Sequence, residues 1–151
     1  MSLPRIAHDR FVIERVYAFP CSEVFAAWSD PEVKAQWFIG PSGWKAVRRE
    51  LDFRVGGEEV LHGRFATGET LFRARYHHIE PDARIVYDYD MWLSGKAHSV
   101  SLATVELIDR GAKTQLIFTE QVAFLDGTAN ADARKHGTAA HLDRIAGVLQ
   151  T

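Results

Sequence analysis

A single cysteine, Cys21, stands in the 151 residues, so no intrachain disulfide can form. No charged region followed by an apolar segment lies near Met1, and a cytoplasmic protein is the default expectation. No run approaches the ~20 apolar residues that a membrane-spanning helix needs. Basic residues are interspersed with acids rather than gathered into a stripe, so the electrostatic footprint of a nucleic-acid surface is missing. There is no internal repeat and no phosphate-cradling loop, since Gly56-Gly57 is better read as a hairpin turn. Histidines do not recur at ligand spacing: His77 and His78 are adjacent on a strand and point to opposite faces, so neither a metal nor another cofactor is expected. What is present is ordinary for a globular chain, with 46% hydrophobic and 25% charged residues and a formal net charge of -2. The length fits one domain over residues 1–151.

Residues 11–18 are rich in β-branched and aromatic side chains and end at Pro20, which predicts a first strand. Val24, Phe25 and Trp28 then follow at helical spacing with Ser22 as a possible cap. A second short helix is predicted behind Ser29 or Asp30, with Pro31 in its first turn and an end near Trp37-Phe38. From Trp44 to Phe124 the chain reads as strands joined at Gly56-Gly57, Thr67-Gly68, Pro81-Asp82, Ser94-Gly95 and Arg110-Gly111. Links this short join only antiparallel neighbours.

Alternation assigns the buried faces. Leu51, Phe53 and Val55 share a face of the second strand, and Leu61, Gly63 and Phe65 share one of the third. Phe72, Ala74, Tyr76 and His78 oppose Arg73, Arg75 and His77 in the fourth; Ile85, Tyr87, Tyr89 and Met91 oppose Asp88 and Asp90 in the fifth. The strand from His98 to Asp109 is apolar in both phases and has no readable facing, like the first. In the seventh, Glu120 has the parity of Leu116, Phe118, Val122 and Phe124, which puts a carboxylate on the buried face. It must then be protonated, paired with a cation, or open to a wet cavity. His141 and Arg134 are its candidate partners.

Asn130 to Gln150 reads as one long helix. Thr138, His141, Leu142, Ile145, Val148 and Leu149 fall on one stripe beside Arg134, with His136, Ala140, Asp143 and Gly147 opposite. The downstream half of the stripe is apolar and must be buried. The upstream half is polar and either faces water or borders a cavity, and the cavity is preferred because pockets are apolar with a few convergent polar groups. An antiparallel sheet with one apolar face needs a cover, which this helix supplies.

Several stretches in order resemble the branch of the Bet v 1-like, START-like (SRPBCC) superfamily named after the activator of Hsp90 ATPase homologue 1, abbreviated AHSA1. They are Ala18-Phe19-Pro20 with Val24 to Glu32 and Gln36-Trp37-Phe38, then Asp52 to Gly57, Tyr76 to Pro81 and Arg84 to Tyr87. Thr119-Glu120-Gln121, Phe124 to Gly127, His136-Gly137 and Leu142 to Ile145 close the series. The resemblance covers about Phe11 to Leu149. It implies an α+β helix-grip fold, in which a curved antiparallel sheet of six to seven strands wraps around a long C-terminal helix, with two short helices after the first strand. It also implies a hydrophobic cavity between sheet and helix. The branch often carries tryptophan where this sequence has Thr138; its loss should leave a larger or more polar cavity unless a neighbouring aromatic fills it.

The expected wall of that cavity is Trp37, Phe38, Phe53, Phe65, Tyr76, His78, Tyr89, Glu120, Arg134, Thr138 and His141, with Trp92 also considered. These aromatics could equally be core. Gly63 and Ala74, small residues on inward faces, point to unfilled space. Three functions remain open: a binding module for an apolar, aromatic or lipid-like small molecule; a chaperone-interacting protein, as the branch's name implies; and a cyclase- or hydrolase-type enzyme using Glu120, Tyr76 and His141. In the last, a carboxylate and an imidazole would exchange a proton. A structural carboxylate that fixes helix docking is the simpler role for Glu120. Cys21 is either an inert small hydrophobe or a thiol near a helix start. A homodimer is compatible with all three.

Overall fold

The computed structural model describes residues 2–151. Met1, the first residue of the single domain expected over 1–151, lies outside the described residues. Strand β1 (Ala7–Tyr17) carries Phe11, Ile13 and Tyr17 inward and stops before the breaker formed by Phe19-Pro20. Helix α1 (Cys21–Ser29) follows. Its first amides, Glu23 N and Val24 N, bond to the Pro20 carbonyl, and no side chain caps it, so Ser22 does not play the role expected of it. Asp30 does cap α2 (Pro31–Trp37), accepting from Glu32 N at 2.9 Å, and Pro31 occupies the first turn where a missing amide costs nothing.

Six further strands run as a meander: β2 (Lys45–Leu51), β3 (Glu58–Phe65), β4 (Gly68–Glu80), β5 (Arg84–Leu93), β6 (Lys96–Arg110) and β7 (Lys113–Phe124). With β1 they form one antiparallel sheet in the order β1-β7-β6-β5-β4-β3-β2. Helix α3 (Ala131–Leu149) crosses the inner face. Asn130 caps it by accepting from Ala133 N at 3.0 Å. This is the helix-grip arrangement, an open curved antiparallel sheet around a C-terminal helix.

Leu142 and Ile145 of α3 are fully buried against the sheet, and the Tyr17 hydroxyl donates to the Leu142 carbonyl at 2.8 Å. Each such apolar side chain contributes about 1.5–3 kcal/mol by leaving water. The N-terminal half of α3 has no fully buried residue. His136, Asp143 and Gly147 are exposed on the opposite face, as the helical wheel requires, whereas Ala140 is half-buried.

Three sequence expectations fail for local reasons. Strand β2 ends at Leu51, so Phe53 and Val55 belong to the link before β3; Val55 is exposed and Phe53 packs edge-on against Phe25 and Tyr76. A bulge between Tyr76 and His78 flips the parity of β4, turning His78 outward to accept from Arg84 Nε at 2.9 Å while Ile79 pairs with Ile85. Gly63 faces no unfilled space: a Cβ there would lie 1.7 Å from Trp44 Nε1, so the glycine is what lets the indole lie on the sheet.

Candidate functional site

N-terminal to the buried Leu142 and Ile145 of α3 the sheet and helix separate, leaving a cavity of about 240 Å³. Phe72 of β4, Tyr87, Tyr89 and Met91 of β5, and Phe118 and Glu120 of β7 form its floor. Trp28 of α1, Lys34 and Trp37 of α2, and Phe38 close one side; Ala133, Arg134, Gly137, Thr138, His141 and Leu142 of α3 close the other. Aromatic rings dominate the wall. Phe72 packs at 4.8 Å from Tyr89 and edge-on to Phe38 at 4.9 Å, and Phe38 meets His141 at 5.2 Å. Trp28, 4.7 Å from Trp37, keeps its indole N–H buried without a hydrogen-bond partner among the described residues.

Two buried ion pairs border this space. At the start of α3, Arg134 donates to Glu120 Oε2 at 3.1 Å, to the Tyr89 hydroxyl at 2.9 Å and to Ser99 Oγ at 2.7 Å. Tyr89 and Ser101 donate to the same carboxylate at 2.8–2.9 Å, which leaves Glu120 saturated at 0% exposure. Register explains the gathering: on β6 and β7, Ser99 pairs with Phe124, Ser101 with Val122 and Ala103 with Glu120, so the two serines lie on the same face as the carboxylate. Although burial disfavours its charge, Tyr89 and Glu120 hold the Arg134 guanidinium more firmly protonated than usual. Burial and the neighbouring Glu120 both keep the Tyr89 phenol protonated.

The second pair joins α2 to the sheet. Lys34 Nζ donates to Glu59 Oε1 at 2.6 Å and lies 3.2 Å from the Tyr76 hydroxyl, which itself donates to Glu59 at 2.7 Å. Lys34 and Glu59 are each 3% exposed. The ammonium lies 5.1–5.9 Å from the ring centroids of Trp28, Trp37, Phe38 and Tyr76. Burial pulls the Lys34 pKa down, and Glu59 opposes that shift.

His141 lies between the two. Burial and the adjacent Arg144 lower its pKa to about 4, so the ring is neutral near pH 7. Arg144 Nη2 contacts His141 Nδ1 while Arg144 Nε donates to the Trp37 carbonyl at 3.0 Å. A guanidinium can only donate, so Nδ1 supplies the lone pair and the proton resides on Nε2. The 3.3 Å approach of Nδ1 to the Trp37 carbonyl is then a contact between two acceptors bridged by the same arginine.

Over residues 18–150 the sequence matches the family described as activator of Hsp90 ATPase homolog 1-like protein. The chain belongs to that family. Comparison with curated proteins returns no match. Among solved structures, an uncharacterised protein from Rhizobium leguminosarum is 40% identical, with a TM-score of 0.92 and 99% of each chain covered. A Rhizobium loti protein is 36% identical at a TM-score of 0.88, covering 95% of this chain and 99% of that one. DynU16, a protein in the dynemicin biosynthetic locus, shares the fold at 20% identity and a TM-score of 0.67, with 95% of this chain matching 48% of its own.

In this AHSA1-like chain, seven residues expected on the wall lie there: Trp37, Phe38, Tyr89, Glu120, Arg134, Thr138 and His141. Four do not. Phe53 and His78 are displaced as described, Phe65 sits half-buried at the β3–β4 turn, and the Tyr76 hydroxyl is committed to Glu59 and Lys34. Trp92, of opposite parity to Met91, bonds Asp90 away from the cavity, and Ala74 is buried elsewhere in the core. Nor do Glu120, Tyr76 and His141 form one hydrogen-bonded set, since each is bonded to different partners. Cys21 is partly buried on the core with the Thr114 hydroxyl 3.5 Å from its sulfur. Lys34 and Glu59 do not stand out in the sequence, although Glu59 shares the parity of Leu61 and Gly63, and Lys34 lies one turn before Trp37.

Proposed function

We propose that this AHSA1-like protein works in the cytoplasm as a carrier or sensor of a small, largely aromatic molecule held between the sheet and α3. One observation supports this above all: the cavity is bounded by rings and two closed ion pairs, a wall that is apolar in area yet fixed in shape. Thr138, where the family resemblance leads one to expect tryptophan, lines the helix side with a side chain smaller than an indole. A chaperone-directed role, suggested by the family's name, would use the outer sheet face. There Val100 and Leu102 are exposed, but their neighbours across the strands are Asp90, Asp88, Gln121 and Ala123, which leaves only a narrow apolar strip.

The test is a thermal-shift and native mass-spectrometry screen of apolar aromatic compounds on the wild type and on Thr138→Trp. Binding to the native state raises the melting temperature with ligand concentration. A stabilising compound that loses its effect when an indole fills the cavity supports the proposal. Equal stabilisation of both proteins, or none of either, removes it.

A further inference from the structure

The cavity wall carries more polar groups than its own contacts use. Its charges are closed: Arg134 is taken by Glu120, and Lys34 by Glu59 and Tyr76. Besides the Trp28 indole N–H, three neutral groups on the same wall are left over. The Tyr87 hydroxyl, on a residue only 6% exposed, makes no hydrogen bond among the described residues, and neither does Thr138 Oγ1. His141 Nε2 is the third: Nδ1 accepts from Arg144, which places the proton on Nε2, and Nε2 has no partner among the described residues. All three can donate. Among the described residues Trp28 Nε1 is the one fully buried side-chain polar atom without a partner, so the unpaired groups of Tyr87, Thr138 and His141 are open to the cavity space rather than sealed in the core.

Resting on the cavity reading above, we infer that the ligand is a neutral aromatic molecule bearing a hydrogen-bond acceptor such as a ketone, with its oxygen received by the Tyr87 hydroxyl, His141 Nε2–H or Thr138. Charged ligands of either sign fit this wall poorly. A carboxylate would meet two cations whose charge is already neutralised, and it would be buried without a counter-charge. A cation would meet carboxylates that are equally committed. A pure hydrocarbon would leave the Tyr87 hydroxyl and the His141 N–H dry and unpaired. Burial, Tyr89 and Glu120 keep the Tyr87 phenol protonated, and burial with Arg144 keeps His141 neutral, so neither group brings a charge of its own.

Three probes of one shape separate the cases: 2-acetylnaphthalene, 2-ethylnaphthalene and 2-naphthoate. Each is titrated into the wild type, Tyr87→Phe and Thr138→Val, with binding followed by calorimetry and by the fluorescence of the cavity-wall indoles. The wild type should bind the ketone at least about fivefold more tightly than the hydrocarbon, the worth of one net hydrogen bond. Tyr87→Phe should reduce that ratio severalfold while leaving hydrocarbon affinity unchanged; Thr138→Val provides the same comparison should Tyr87→Phe not fold. Equal affinity for ketone and hydrocarbon in the wild type, or naphthoate as the tightest ligand, overturns the inference and leaves the cavity reading standing. If none of the three binds and the thermal screen also finds no ligand, both fail together.

Discussion

Glu59 and Glu120 are both carboxylates on the inner face of the sheet, each accepting from a tyrosine hydroxyl and from a cation on a helix. The Glu59 pair is closed by rings: Lys34 has few donors to distribute, and its side chain is 4% exposed. The Glu120 pair is closed by hydroxyls, with Ser99, Ser101 and Tyr89 sharing the guanidinium and carboxylate, and the Arg134 side chain is 12% exposed. One joins α2 to β3 and β4; the other joins the first turn of α3 to β5, β6 and β7. The difference shows how a fold can hold open a space between sheet and helix. An apolar contact would draw the layers together, whereas a saturated ion pair of fixed length keeps each helix at a set distance and spends its polarity on itself.

The largest effect should come from the ring-closed pair. Lys34→Met leaves Glu59 buried with one hydroxyl, and urea unfolding should report a loss of about 3–5 kcal/mol. Adding Glu59→Gln removes the stranded charge and should recover most of that loss. A double variant as unstable as the single one would show that Lys34 contributes through packing rather than through its charge.

Arg134→Met should cost less, about 2–3 kcal/mol, because Glu120 keeps the Tyr89 and Ser101 hydroxyls and the side chain removed is 12% exposed rather than 4%. The same unfolding assay compares the two variants directly. If Arg134→Met proves the more damaging, the contrast between ring closure and hydroxyl closure is wrong.

How far these clusters can be read from sequence follows from the same geometry. Glu120 is legible because residues of one parity surround it in an unbroken strand, and a buried carboxylate needs a cation, which the wheel of α3 supplies at Arg134. Glu59 obeys the same parity rule but lies one residue inside the start of β3, where a link of irregular length hides the phase. His78 is misplaced by alternation because one inserted residue reverses every later side chain, and no sequence feature marks the bulge. Ser99 and Ser101 have no signal at all: β6 is apolar in both phases, Val100 and Leu102 outward against Val105 and Leu107 inward, so only pairing with β7 orients it. The fold depends on patterns repeated over many strands, while the site depends on single positions near irregularities.

Between the two pairs, His141 gives a pH-dependent measure of the enclosed space. Its folded pKa of about 4 lies below the ordinary 6.5, so between those values the unfolded chain binds a proton that the native state refuses. Stability should therefore fall as pH drops from about 6.5 to 4, by about 2 kcal/mol once the partial exposure of the ring is allowed for. His141→Phe should flatten that part of the curve of unfolding free energy against pH. An unchanged slope would assign the dependence to other groups.

The smallest effect should come from the link between β7 and α3, which delivers Arg134 to its pair. It is held by a more exposed counterpart: His98 Nδ1 lies 2.8 Å from Asp126 Oδ2, Asp126 also accepts from Thr128, and the Leu125 amide donates to the His98 carbonyl at 2.9 Å. What burial there is opposes ionisation, but the bonds from Thr128 and His98 still hold the Asp126 carboxyl at about 2. A carboxyl depressed in the folded state adds stability that is full above its ordinary pKa near 4 and disappears as pH falls through about 2. Solvent competes for this pair, so Asp126→Asn should lower stability at pH 7 by less than about 1 kcal/mol, with the difference from wild type vanishing near pH 2. Amide exchange at Leu125 should quicken in the variant while the buried strands remain protected. Faster exchange throughout β7 would mean that this exposed pair, and not the buried Glu120 cluster, secures the start of α3.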